Sequence, residues 1–137
     1  MDTTQGIDVG PNTAVGTSAL ASNTIASANT AVGYQALGRN TTGLQDTDLG
    51  LSTAVGFQTL ANATGPGAAF NDGFGYQALF HLTAGTHNVA IGARALFAST
   101  IGNNNVVLGN QAGVNITTGS DNILHRVWRR HWPHHRQ

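Results

Sequence analysis

A nine-residue phrase of fixed apolar and polar order recurs six times along the chain. It reads Asn12-Thr-Ala-Val-Gly-Thr-Ser-Ala-Leu20, Asn29-Thr-Ala-Val-Gly-Tyr-Gln-Ala-Leu37 and Ser52-Thr-Ala-Val-Gly-Phe-Gln-Thr-Leu60. It returns as Asn71-Asp-Gly-Phe-Gly-Tyr-Gln-Ala-Leu79, Asn88-Val-Ala-Ile-Gly-Ala-Arg-Ala-Leu96 and Asn105-Val-Val-Leu-Gly-Asn-Gln-Ala-Gly113. The fifth-position glycines are Gly16, Gly33, Gly56, Gly75, Gly92 and Gly109, and their numbers differ by 17, 23, 19, 17 and 17. Position one is Asn12, Asn29, Asn71, Asn88 and Asn105, and again Asn122, with Ser52 the exception. Position four is always large and apolar, position three is small or β-branched, and position nine is Leu20, Leu37, Leu60, Leu79 and Leu96. A second phrase, typified by Asn40-Thr-Thr-Gly43 and Ile116-Thr-Thr-Gly119, follows each copy except the first.

Alternation of size at neighbouring positions predicts a short strand, with one side chain per face. Strand, Gly turn, second apolar anchor and Thr-Gly turn describe one coil of a repetitive β-solenoid. Seventeen residues at about 3.3 Å each reach at most roughly 56 Å, enough to wind once round a thin core, and six coils at about 4.8 Å stack to roughly 29 Å. Each coil is expected to bury about two large apolar side chains, worth about 1.5–3 kcal/mol apiece. Ordering the coil costs more than that, so a single coil cannot fold and neighbours must share core and hydrogen bonds. The Asn column suggests a ladder of stacked amides; its bland alternative is Asn as a turn residue that tolerates left-handed backbone. The Tyr-Gln-Ala-Leu segment is read as a short helical turn after the Gly. The longer intervals are loop insertions: Thr47-Asp48-Leu49-Gly50 precedes Gly56 as Ile7-Asp8-Val9-Gly10 precedes Gly16.

Composition narrows the classes. The 137 residues contain six Arg, six Asp, no Lys, no Glu and no Cys, and only 9% are charged. Without Cys there is neither a disulfide scaffold nor a thiolate metal site. The Gly, Thr and Asn content argues against an all-helical protein. No stretch approaches the roughly 20 apolar residues of a membrane-spanning helix, and the N-terminus lacks the basic start and apolar run of a secretory signal. The expected organisation is an all-β solenoid domain over 1–123, followed by an irregular tail over 124–137. The zero net charge divides between them as −4 and +4, since 1–123 hold two Arg and six Asp and the tail holds four Arg.

The phrases Asn29-Thr-Ala-Val-Gly-Tyr-Gln-Ala-Leu37, Asn40-Thr-Thr-Gly43 and Asn88-Val-Ala-Ile-Gly92 resemble the head repeats of trimeric autotransporter adhesins (YadA-like heads). They are also similar to the repeats preceding the chaperone domain in bacterial and phage tail-fibre-domain proteins. The resemblance covers roughly residues 6–123. It implies a left-handed parallel β-roll, three chains side by side, exposure at a cell or virion surface, and binding of host matrix protein or glycan. The period here is longer than the adhesin one, and the coiled-coil stalk and membrane-anchor barrel of those proteins are absent from the sequence.

Catalytic chemistry has little material. The acids Asp2, Asp8, Asp46, Asp48, Asp72 and Asp121 are scattered. Asp46 and Asp48 offer two carboxylates where a calcium site needs six to eight oxygens, so a solvated loop is the better reading. No nucleophile elbow occurs, and no Gly-Lys-Ser/Thr marks a phosphate loop. A Thr ladder of the ice-binding kind stops halfway, because position two runs Thr13, Thr30, Thr53, then Asp72, Val89, Val106. The acceptor patterns at Asn40, Asn62 and Asn115 follow from composition and receive no role. No enzyme, cofactor, specific nucleic-acid partner or membrane contact is expected.

The tail departs from the repeat. Position four of the next copy is His125 and position five Arg126, and both Trp lie beyond. Three readings compete: Arg and Trp contacting nucleic acid or an anionic surface, metal ligation by His131, His134 and His135, or the end of the repeat followed by an unrelated flexible tail, for which a shifted reading frame near codon 124 is one origin. The functional expectation is an adhesin-head-like or fibre module, a fragment without its own signal or anchor. It is expected to form a homotrimer at an extracellular or cell surface and to attach to matrix or glycan. The alternative is a passive spacer of a tail-fibre-type protein, and a carbohydrate-active solenoid enzyme is least favoured.

Overall fold

The computed structural model describes residues 11–24, 26–40, 52–65 and 67–126. Seven strands of three residues each form one parallel sheet in sequence order. They are β1 (Thr13–Val15), β2 (Thr30–Val32), β3 (Thr53–Val55), β4 (Asp72–Phe74), β5 (Val89–Ile91), β6 (Val106–Leu108) and β7 (Ile123–His125). Pairing is in strict repeat register: Ala14 faces Ala31, Ala31 faces Ala54, and so on to Val107 and Leu124. The molecule is a β-solenoid of about six turns. Its regular coils repeat every 17 residues, the sequence separation of the stacked Asn88 and Asn105. The pairing of β7 with β6, and a hydrogen bond from Arg126 N to Leu108 O at 2.9 Å, carry the coil pattern past the composition break at 124.

The Gly after each strand is fixed by how closely the coils approach. Gly92 has φ of +130°, and a Cβ there would lie 2.6 Å from the carbonyl carbon and oxygen of Gly109. Any side chain at that column would drive two coils apart, and an L-residue would be strained in that backbone region regardless.

The segment after the Gly is not helical, and no helix occurs among the described residues. Gln35 and Leu37 have φ of +53° and +48°, and the same pair of positions is left-handed in every copy down to Arg94 and Leu96. Alternating left-handed residues stop an α-helix after one turn bond, such as Ala36 N to Gly33 O. The amides go instead to neighbouring coils: Gln35 N donates to Thr17 O at 3.0 Å and Leu37 N to Thr59 O at 3.0 Å. Bonding in both axial directions satisfies the turn's backbone and compensates its strained dihedrals.

The core is built from columns. The position-nine leucines Leu37, Leu60, Leu79 and Leu96 are essentially fully buried, with Leu20 close behind. The small strand residues Ala31, Ala54, Ala90 and Val107 point into the same core. The large position-four residues do not. Val15, Phe74, Ile91 and Leu108 are 57%, 39%, 42% and 45% exposed and Val32 and Val55 are half-buried, so the reading of two large buried anchors per coil, one on the strand and one at position nine, is corrected. The reason is thickness: a Cβ added at Gly73 would come within 3.7 Å of the Leu60 side chain and still closer to Thr59. The opposite wall already fills the interior, leaving room only for small side chains on the sheet.

Candidate functional site

The Asn column forms a directional amide ladder inside the rod. Asn88 Nδ2 donates to Asn71 Oδ1 at 3.0 Å, Asn105 Nδ2 to Asn88 Oδ1 at 2.9 Å, and Asn122 Nδ2 to Asn105 Oδ1 at 2.8 Å. The oxygens of Asn71 and Asn88 also accept the backbone N–H of the following Asn, and Asn71 and Asn88 donate to the carbonyls of Gly85 and Gly102. Ser52 keeps part of this pattern, its Oγ accepting from Asn71 N at 3.1 Å. The ladder is structural: Asn71, Asn88 and Asn105 are fully buried and offer nothing to a ligand.

Two features lie outside. The first is the outward sheet face, where Val15, Phe74, Ile91 and Leu108 form an apolar stripe along the axis, with Val106 and the still more exposed Ile123 beside it. Next to it Tyr34, Phe57 and Tyr76 stack coil upon coil, with ring centroids 5.1 and 5.4 Å apart and planes within 17°. The rings are stacked on each other and are still 42–49% exposed. The small-residue strand face is turned inward, and the face offered to other molecules is the large apolar one.

The second feature is a groove of about 420 Å³ across the turn side of the early coils. Its floor follows from one column. Position ten is Ala21, Gly38 and Ala61 in the first three coils, then Phe80 and Phe97. The two Phe rings stack at 5.5 Å and 7°, His81 packs edge-on against both, and the Arg94 guanidinium carbon sits 4.2 Å over Phe97. Where the column is small, the space stays open, and Phe80 closes one end. Gln35 and Gln58 line one side, joined by Gln58 Nε2 donating to Gln35 Oε1 at 2.8 Å; Gln77 Nε2 extends this ladder to Gln58 Oε1 at 2.9 Å. Arg39 and Asn62 line the other, with Arg39 Nη1 donating to Asn62 Oδ1 at 3.3 Å and Asn62 Nδ2 to Phe80 O at 2.8 Å.

Among the described residues no group of three His, Asp or Glu side chains is placed to hold a metal. Nor does any described helix have the length and apolarity to cross a membrane. The weak candidate ligands His131, His134 and His135, and the carboxylates Asp46 and Asp48, lie outside the described residues. Sequence reasoning did not find the groove. Its signal was the switch from Ala and Gly to Phe within one column. Comparison of the chain with family models, with curated proteins and with solved structures gives no match in any of the three.

Proposed function

We propose that this chain is a rod-shaped head or fibre module that assembles side by side with copies of itself, as a homotrimer, and works in attachment at a cell or virion surface. The observation that carries it is the apolar outward face of the sheet, exposed at Val15, Phe74, Ile91 and Leu108 and half-buried at Val32 and Val55. Isolated apolar residues on a surface are ordinary, but a column of them repeated coil after coil marks a contact surface. The stripe repeats with the coil spacing of the rod, so a second rod aligned with the first meets it apolar side chain to apolar side chain. Its flanking position carries one acid, Asp72, and no base among the described residues, so lateral association buries little charge. The adhesin-head and tail-fibre resemblance of the repeats supports the same reading. The groove favours attachment over passive spacing, since it brings convergent polar groups together at the surface of the rod.

Sedimentation velocity at micromolar concentration tests assembly. The chain should run as a trimer, and Ile91→Asp should run as a monomer with an unchanged circular dichroism spectrum. A wild-type chain that is folded and monomeric sinks the assembly reading.

A further inference from the structure

We infer that the groove bounded by Phe80, Arg39 and Gln35 is a binding site for an acidic sugar, a pyranose carrying a carboxylate. This rests on, and deepens, the attachment reading above. Three observations converge. Phe80 stacks against Phe97 in the following coil, so its other face is directed toward the preceding coil and forms the end wall of the groove. A flat aromatic face beside polar groups suits the C–H face of a sugar ring, which an aliphatic wall would not orient.

Next, a cation lies at the groove rim. Phe80 O accepts from Asn62 Nδ2, and Asn62 Oδ1 accepts from Arg39 Nη1. That chain links the exposed guanidinium to the groove edge and, among the described residues, leaves its other N–H groups available, in the planar fork that matches a carboxylate. Among the described residues no carboxylate pairs with Arg39.

Finally, the Gln ladder has a direction. Each amide donates toward the preceding coil, from Gln77 to Gln58 and from Gln58 to Gln35. The Nε2 of Gln35 ends the series with no acceptor among the described residues, so its N–H groups face the groove as free donors. Uncommitted donors on both sides call for a ligand rich in acceptor oxygens and bearing negative charge. The volume of about 420 Å³ lies within the ~300–1,000 Å³ typical of small-molecule sites. None of the groove residues belongs to the apolar stripe, so lateral assembly through that stripe does not use them.

The test is NMR titration of the full chain with the methyl glycosides of glucuronic acid, N-acetylneuraminic acid and glucose. At least one acidic sugar should bind in the millimolar range, with saturation transfer to its ring protons and weakening at high salt. Methyl glucoside should bind at least tenfold more weakly. Arg39→Gln should weaken the acidic sugar by about tenfold or more, the scale of a charge-assisted hydrogen bond, and leave the glucoside unchanged. Ala61→Phe continues the Phe80 column into the groove and should abolish binding; if that variant does not fold, Arg39→Gln at the exposed rim still decides. Failure of both acidic sugars to bind overturns the inference, as does an acidic peptide such as oligoglutamate binding as tightly. Sedimentation of the same samples keeps the two readings apart. A trimer without sugar binding removes only the groove assignment, and a monomer that binds removes only the assembly.

Discussion

The two halves of the rod solve the same packing problem with different strictness. From Asp72 onward the strands recur every 17 residues, the Asn ladder is unbroken, and Phe80, Phe97, Arg94 and His81 cover the turn side. Before it the first interval is again 17 residues, from Thr13 to Thr30, but the next two stretch, to 23 between the stacked Gln35 and Gln58 and to 19 between Gln58 and Gln77. There Ser52 stands in the ladder, and the turn side is open as a groove. Yet strand register is the same in both, and the Gly and Leu columns run through both until Arg126 and Gly113 end them. What the coil requires is a Gly where backbones touch and a Leu to fill the centre; the rest it tolerates. Length varies only from the Leu of one coil to the Gly of the next, where a longer loop costs little extra closure entropy.

The largest effect should come from breaking the shared requirement. Gly92→Val sets a branched side chain against the Gly109 carbonyl and should cost more than ~4 kcal/mol, unfolding the regular half. Because coils contact only their neighbours, hydrogen exchange should show the loss concentrated around β5 and β6 before it reaches β1. Uniform loss along the rod would mean that the halves are one cooperative unit.

The ladder offers a reciprocal exchange. Asn88→Ser removes the amide donors to Asn71 Oδ1 and to Gly102 O, leaving a buried carbonyl unpaired at a cost of about 2 kcal/mol. Ser52→Asn restores the column in the irregular half and should gain about 1 kcal/mol. Urea midpoints measure both, and equal and small effects would show that the ladder contributes little in either half.

The smallest effect concerns backbone strain. Ala28, exposed with φ of +57°, is relieved by Ala28→Gly. The folded-state gain of about 1 kcal/mol is partly offset by the unfolded chain's added freedom, for a net stabilisation of roughly 0.5 kcal/mol visible as a small rise in midpoint. A destabilised variant would show that the left-handed site is set by something other than dihedral cost.

The solenoid itself was legible because its demands are steric and recur. A Gly that cannot carry a Cβ and a Leu that fills the centre return at the same offset in nearly every copy. Which strand face turns inward was not legible from alternation alone, since both faces alternate equally. A further cue lay in variance. Position three stays small from Ala14 to Ala90, because the Leu wall limits its volume, while position four wanders through Val, Phe, Ile and Leu, as an unconstrained outer position can. The turn misleads for a different reason. Gln35 and Leu37 adopt left-handed backbone despite no local preference for it, and only bonds to neighbouring coils supply the compensation. The groove depends on gaps between side chains of successive coils, information that no single phrase carries.

The amide ladders have one further consequence. Every Asn and Gln rung points the same way, so each coil presents acceptors to the next and receives them from the last. A duplicated or deleted coil would therefore meet a neighbour it already fits, and the number of coils can drift through recombination without inventing a contact. Orientation has no such freedom, because a reversed unit would set donor against donor. The rod is thus extensible in length and fixed in polarity.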